Sequence, residues 1–257
     1  MRRFALIGYP LTHSFSQRFF TEKFAREQIL DARYDLFPLP DIHELSRLLA
    51  AHPELCGLNV TIPHKETVLP WLDALDETAR AVGAVNCIRI DGGRLTGYNT
   101  DVYGFEESLR RLGWLVDPET AQAFILGTGG AAKAVAYVLR KMGWPVHFVS
   151  RQPAAEDQIA YEELRNWLPQ RRALLVNTTP LGTFPQVDTR PPVPLDALGP
   201  QHLVFDLVYN PPETLLLREA RQRGCAVQNG LEMLHLQAEK AWEIWNDPHV
   251  YETPKVS

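Results

Sequence analysis

The sequence predicts an α/β protein with mostly parallel sheet, arranged in two units. Three observations carry this. Short apolar runs alternate with helix-period stretches along nearly the whole chain. A glycine-rich turn, GTGGAA at 127–132, separates an apolar strand from a helical stretch. The 257 residues, 45% hydrophobic and 22% charged, can bury a large core and suffice for one big domain or two modest ones.

In the first unit, FALIGYP (4–10) reads as strand then turn. SQRFFTEKFAREQ (16–28) puts Phe19, Phe20 and Phe24 at one-turn spacing, the mark of an amphipathic helix. ARYDLFPLP (32–40) is extended, and DIHELSRLLAAH (41–52) is helical with Asp41 as N-cap. GLNVTIP (57–63) is extended again. KETVLPWLDALDETARAVG (65–83) reads as a helix broken at Pro70. VNCIRID and RLTGYNTD are two short strands around the Gly92–Gly93 turn. DVYGFEESLRRLGW (101–114) is helical, with Phe105, Leu109 and Leu112 on one face and Gly113 at C′.

The second unit begins near Ala121. AFIL is a buried strand, and KAVAYVLRKMG a helix ending at Gly143. VHFVSR, ALLVNTTP and HLVFDLVY follow as strands, which makes a βαβ series of the dinucleotide-binding kind. The one proline-dense loop is TRPPVPLDALGP at 189–200. The glycines of the 127–132 turn allow close backbone approach, and the helix N-terminus offers free N–H groups to a pyrophosphate. A tight turn with no ligand is the competing reading.

Composition narrows the partners. A net charge of −5 without a basic run argues against nucleic acid. The longest apolar stretches are far too short to span a bilayer, and MRRFALIGYP lacks the apolar region of a signal peptide. Cys56, Cys87 and Cys225 show no CxxC spacing and fit a reducing cytoplasm. The eight histidines show no ligand spacing, so no metal is expected.

Lys65 is the oddity. Pro63 suits the first position of a helix, which places Lys65 in the first turn. The partial positive charge of a helix N-terminus disfavours a cation there by a few tenths to about 1 kcal/mol. Taken singly, Lys65 reads as a solvated lysine, Ser14 and Ser16 as helix caps, Asn86 and Asn99 as turn residues, and Asp101 as the cap of a helix starting at Val102.

Taken together, GYPLTHSFS, GLNVTIPHK, GAVN, YNTDVYG, GTGGAA, NTTPLG, DLVYNPPET and QNGLEMLHLQ, spanning residues 8–237, resemble the shikimate dehydrogenases in kind and order. The resemblance implies a two-domain α/β protein. Residues 1–102, with C-terminal helices at 231–257 returning to them, would form the substrate domain, and 103–230 a Rossmann-type NADP domain. It implies NADP-dependent, reversible reduction of 3-dehydroshikimate to shikimate, on the route to aromatic amino acids. Lys65 and Asp101 resemble the family's catalytic pair; which of the two moves the proton stays open. Ser14, Ser16, Thr61, Asn86, Tyr209 and Gln237 resemble its substrate-binding residues. Gly127, Thr128, Gly129, Gly130, Ala131, Ser150, Arg151, Thr178 and Gly230 resemble its cofactor-binding ones. A monomer or homodimer is expected.

The chain departs from the family pattern at three places. Gln17-Arg18-Phe19 replaces Pro followed by His-Asn, Thr183 stands where Met is common, and no basic residue follows Arg151 before Glu156. The last departure predicts an NADP preference smaller than the family norm. The nearest alternative is a quinate/shikimate dehydrogenase using NAD or NADP. A non-catalytic nucleotide-binding protein is opposed by the intact Lys65 and Asp101, and a methylene-tetrahydrofolate enzyme by HSFS and YNTD.

Overall fold

A computed structural model describes residues 1–11, 14–114 and 117–247. Thr12 and His13 of the GYPLTHSFS stretch, and the expected helical residues past 247, lie outside the described residues. The chain forms two compact units, Met1–Tyr103 with the chain from His235, and Gly104–Leu234.

The first unit runs β1 (Arg2–Gly8), α1 (Phe15–Arg26), β2 (Ala32–Pro38), α2 (Leu45–Ala51), β3 (Leu55–Val60), α3 (His64–Thr67), β4 (Ala74–Leu75), α4 (Glu77–Val82), β5 (Cys87–Asp91), β6 (Arg94–Tyr98) and the start of α5 (Thr100–Leu112). Its sheet has the order β2-β1-β3-β5-β6-β4. The β1, β2 and β3 strands are parallel, but β5 and β6 are an antiparallel hairpin and β5 is antiparallel to β3, so this sheet is mixed. The reason is local. Gly92 and Gly93 both adopt positive φ, 54° and 85°, which a tight hairpin turn needs and which leaves no room for a crossover helix.

The expected helix at 65–83 is the largest departure. It is a one-turn α3, a 3-10 turn at Leu69–Trp71, the strand β4 and the separate helix α4. Pairing of Ala74 and Leu75 with Thr96 and Gly97 extends the chain there, and Asp76 starts α4 afresh by accepting from the N–H groups of Thr78 and Ala79. A long-range strand pairing overrides the helical pattern.

Phe20 and Phe24 of α1 meet Trp242 of α9 (Leu231–Asn246), and Phe20 also meets Trp245. The Trp245 indole donates to the Ile88 carbonyl at 3.0 Å. The C-terminal helix is thereby built into the first unit's core.

The second unit carries β7 (Ala121–Leu126), α6 (Gly130–Lys141), β8 (Val146–Ser150), β9 (Gln158–Ala160), α7 (Leu164–Trp167), β10 (Arg172–Asn177), β11 (His202–Asp206), α8 (Leu215–Gln222) and β12 (Ala226–Asn229). Its sheet is wholly parallel in the order β12-β11-β10-β7-β8-β9. Chain order reverses between β7 and β10. Ligands of such sheets bind beyond the carboxyl ends of the strands at this reversal. Residues 127–130 and 177–179 stand there.

Candidate active site

The first unit brings Lys65, Asn86 and Asp101 together. Lys65 Nζ lies 2.6 Å from Asp101 Oδ2, with the lysine side chain 19% and the aspartate 9% exposed. Asn86 Nδ2 donates to Asp101 Oδ1 at 2.8 Å. The strand register explains the meeting. Cys87 pairs with both Asn59 and Tyr98, so Asn86 and residues 99–101 emerge side by side from the hairpin, next to the end of β3. The backbone closes the arrangement: Val60 N–H donates to the Asn86 carbonyl at 2.9 Å, and Val85 N–H to that of Lys65 at 2.7 Å.

Two sequence expectations change. Pro63 is the N-cap rather than the first helical residue, and α3 is four residues long. So short a helix has little summed dipole, and Lys65 is placed by Asp101 rather than set against a helix end. Asp101 is not a cap. It is the second residue of α5, and Asn99 Oδ1 accepts from Val102 N–H at 3.3 Å instead. Both carboxylate oxygens of Asp101 are thus left to Lys65 and Asn86.

The Asn86 side-chain amide makes four hydrogen bonds. Its Nδ2 reaches Thr100 Oγ1 (3.0 Å) as well as Asp101, and its Oδ1 accepts from Thr100 N–H (2.7 Å) and Thr100 Oγ1 (3.2 Å). A primary amide offers two donors and two acceptor sites, so the protein uses all of them. Asn86 holds Asp101, and any further partner of this amide requires one of these bonds to be exchanged. Thr100 Oγ1 also contacts Gln237 Oε1 at 3.4 Å, which links Gln237 of α9 to the group. Thr61 sits half-buried where β3 ends, its N–H on the Ile7 carbonyl. Ser14 caps α1 by accepting from Gln17 N–H at 3.3 Å, as the cap reading expects. Ser16 is half-buried, the second residue of α1.

The second unit holds the other candidates. Gly127 has φ +112°, and an added Cβ would lie 2.8 Å from Thr178 Oγ1, which itself donates to the Leu126 carbonyl at 2.7 Å. Gly129 is the N-cap of α6 with open space where a side chain would go, and no acidic residue lies in the first turn. A 12-residue helix thus presents its N-terminus, with Thr128, Gly130 and Ala131, to whatever anion arrives. Ser150 closes a turn with Gln152, and Arg151 is exposed without an ion-pair partner among the described residues. Glu156 and Asp157 follow it, and Arg140 pairs with Asp157 at 2.6 Å. Tyr209 is half-buried after β11. Gly230 is buried, and a Cβ there would collide with the Leu207 carbonyl oxygen. An acid-free helix start, an open N-cap and an exposed arginine beyond the second strand fit a dinucleotide bearing an extra phosphate.

Residues 6–88 match the family model described as the shikimate dehydrogenase substrate binding domain. A shikimate dehydrogenase (NADP(+)) of Desulforamulus reducens is 38% identical, over 93% of this chain and 88% of its own length. One of Symbiobacterium thermophilum is 39% identical, over 95% and 88%. The chain belongs to the shikimate dehydrogenase family. Among solved structures, the Thermus thermophilus shikimate 5-dehydrogenase in complex with NADP(H) and shikimate superposes with a TM-score of 0.82 at 36% identity, covering 96% of this chain and 94% of that one.

Within this family frame, several buried polar residues escaped sequence reasoning. His64 is buried, with Nε2 2.5 Å from the Leu39 carbonyl and Nδ1 3.3 Å from Thr67 Oγ1, and so anchors the turn bearing Lys65. Asn59 and Tyr34 lie behind Asn86. In the second unit, Asp206 is fully buried and accepts from Asn177 Nδ2 (2.9 Å), Val208 N–H (3.0 Å) and Thr214 Oγ1 (2.6 Å). It ties the NTTPLG loop to the DLVYNPPET loop. Burial pushes its carboxyl up to about 6. The only available signal was a polar residue in place of the expected apolar one at the end of a buried strand. No helix among the described residues is long and apolar enough to cross a membrane.

Proposed function

We propose that the protein interconverts 3-dehydroshikimate and shikimate as an NADP-dependent oxidoreductase, with Lys65 and Asp101 at the reacting oxygen. The observation that carries this reading is the Lys65–Asp101–Asn86 constellation, a part-buried ion pair whose carboxylate is also gripped by an amide. Bound NADPH supplies the hydride to the ketone carbon, and NADP+ accepts it back in the reverse direction. The chain's own task is the proton. Lys65, held by Asp101, donates a hydrogen bond to the ketone oxygen as negative charge develops there, and then its proton. Shikimate oxidation reverses the transfer. Such general acid help is worth about 10²–10⁴ in rate. Asp101 fixes the ammonium in direction and Asn86 fixes Asp101, so the donor is preorganised rather than recruited.

Ser14 and Ser16 donate to the substrate carboxylate, and Thr61, Asn86 and Gln237 address the ring hydroxyls. Residues 127–131 and Thr178 receive the pyrophosphate and its neighbourhood, Gly230 the nicotinamide by its backbone, and Ser150 and Arg151 the 2′-phosphate. We assign substrate binding to the first unit and NADP binding to the second. The protein acts in the cytoplasm, in keeping with its three free cysteines, as a monomer or homodimer. Initial rates with shikimate and quinate, each with NADP and NAD, test the reading. The highest kcat/KM falls to shikimate with NADP. A higher value for quinate would replace it with the quinate/shikimate alternative.

A further inference from the structure

The last residues of three adjacent strands in the second unit form a polar row. Asn177 ends β10, Asp206 ends β11 and Asn229 ends β12, and the parallel register sets Asp206 beside both of the others. Asn177 and Asp206 are wholly buried, and Asn229 is half-buried. Each holds a loop that leaves the carboxyl end of the sheet. Asn177 Oδ1 accepts from the N–H (3.0 Å) and the hydroxyl (2.7 Å) of Thr179. Asn229 Nδ2 donates to the Pro212 carbonyl at 2.8 Å, and its Oδ1 accepts from Leu231 N–H at 3.2 Å. Asp206 stands between them and accepts from Asn177 Nδ2, Val208 N–H and Thr214 Oγ1.

Donors from three segments converge on Asp206, and an ionised carboxylate is an acceptor only. It is therefore the joint of the row. Thr214 Oγ1 accepts from Leu217 N–H at 3.3 Å, so its single proton goes to Asp206 Oδ2 at 2.6 Å. The tie continues to Gly230. Val208 N–H donates to Asp206 Oδ1 at 3.0 Å, and the Val208 carbonyl accepts from Gly230 N–H at 3.2 Å. A Cβ on Gly230 would collide with the Leu207 carbonyl, so the segment at 207–208 sets where the Gly230 backbone stands. Thr178 is held differently. Its N–H (3.1 Å) and its hydroxyl (2.7 Å) both reach the Leu126 carbonyl at the end of β7. The glycine-rich turn also leaves from β7. Thr178 is thus fixed through β7, and Gly230 through Asp206.

We propose that Asp206 is a positioning residue for the nicotinamide end of the bound dinucleotide: it fixes Val208 and through it Gly230, and it joins that segment to the loops that follow β10 and precede α8. This rests on the reading of the second unit as the NADP unit, with the pyrophosphate at the 127–131 turn. Loss of the carboxylate loosens one end of the cofactor site and spares the other.

The test is a pair of dissociation constants measured by calorimetry, one for NADP and one for 2′-phospho-ADP-ribose, the same molecule without its nicotinamide. Asp206→Ala removes all three bonds and raises the NADP Kd by about tenfold, the size of one intramolecular hydrogen bond. Thr214→Val keeps the shape and severs only the bond to the start of α8, and it raises the NADP Kd by about threefold. The Kd of 2′-phospho-ADP-ribose is unchanged in both. If Asp206→Ala does not fold, Thr214→Val decides alone. Equal losses for the two ligands would be a general loosening of the unit, and they overturn the proposal. So does an NADP affinity unchanged in either variant. Gly129→Asp probes the underlying reading. The position is extended with open space around it, and Asp is a favoured N-cap, so α6 is kept while a negative charge faces the pyrophosphate site. It weakens both ligands. If both bind Gly129→Asp as they bind the wild type, the pyrophosphate reading fails and the role given to Asp206 falls with it. If Gly129→Asp weakens both while Asp206→Ala and Thr214→Val match the wild type, only the role of Asp206 fails.

Discussion

Asp101→Asn replaces a carboxylate with a group of the same shape, and the structure says why the shape does not rescue it. Asp101 Oδ2 faces the Lys65 ammonium at 2.6 Å, and Oδ1 faces the Asn86 amide nitrogen at 2.8 Å. Both neighbours are donors. Asparagine has one acceptor oxygen and one donor nitrogen, so either rotamer sets an NH2 against a donor. One of the two bonds is always lost, along with the counter-charge. Removing one partner of a fully buried pair costs about 3–5 kcal/mol. The Lys65 side chain keeps 19% exposure, so part of its charge is recovered by water and we expect about 1–3 kcal/mol of stability. The catalytic loss is larger, because a swinging ammonium forfeits the acid help of at least about 10² in kcat. Initial rates at saturating shikimate and NADP, followed by the absorbance of the reduced nicotinamide, give kcat, and thermal melts give stability. The Lys65→Met Asp101→Asn double variant is expected to be no slower than the worse single one, since residues acting as a unit lose their effect once. An Asp101→Asn enzyme with near-normal kcat, or losses that multiply, would refute the pairing.

Three further outcomes follow from the geometry. Asn99→Ala costs about 1 kcal/mol of stability for the lost cap of α5, whereas Asp101→Ala carries no such cap loss; melts in which Asn99→Ala is silent would contradict the assignment. Arg151→Ala weakens NADP by roughly 1.5–3 kcal/mol, the range for a hydrogen bond to a charged group, and leaves NAD almost untouched; equal losses in kcat/KM for the two cofactors would show that the arginine is only a surface residue. Asp206 titrates at about 6 against an ordinary 3.8, so the folded state holds the proton longer than the unfolded one. Its contribution is full below the unfolded value and is lost as pH rises through about 6, a swing of about 3 kcal/mol at most. Asp206→Asn abolishes the swing: denaturant melts show the variant gaining on the wild type between about pH 4 and pH 7, and a pH-independent difference would contradict the shift.

Much of this was legible from local chemistry. Gly92–Gly93 announced a hairpin, Gly113 a helix end, Asp41 a cap, and GTGGAA a strand–helix turn, because each demand is met within a few residues. The meeting of Lys65 with Asp101 came from family resemblance, not from spacing. The sequence misled where distant partners decide. Asp76 and the β4–β6 pairing break the 65–83 helix, and neither is visible in a helical period. Asp101 looked like a cap because Asn99, two residues earlier, is an equally good one, and only the fold shows which side chain points back at the helix. Tyr34, Asn59, His64 and Asp206 were invisible as polar hubs, since each acquires its partners from other strands or loops.

The most direct test of the central claim is kcat of Lys65→Met with shikimate and NADP, measured beside the NADP dissociation constant of the same variant. Lys65 and its partners Asp101 and Asn86 lie in the first unit, and the glycine-rich turn at 127–132 lies in the second. A fall in kcat of at least about 10² with NADP affinity intact is the predicted result. A variant that turns over at close to the wild-type rate would show that Lys65 does not manage the proton.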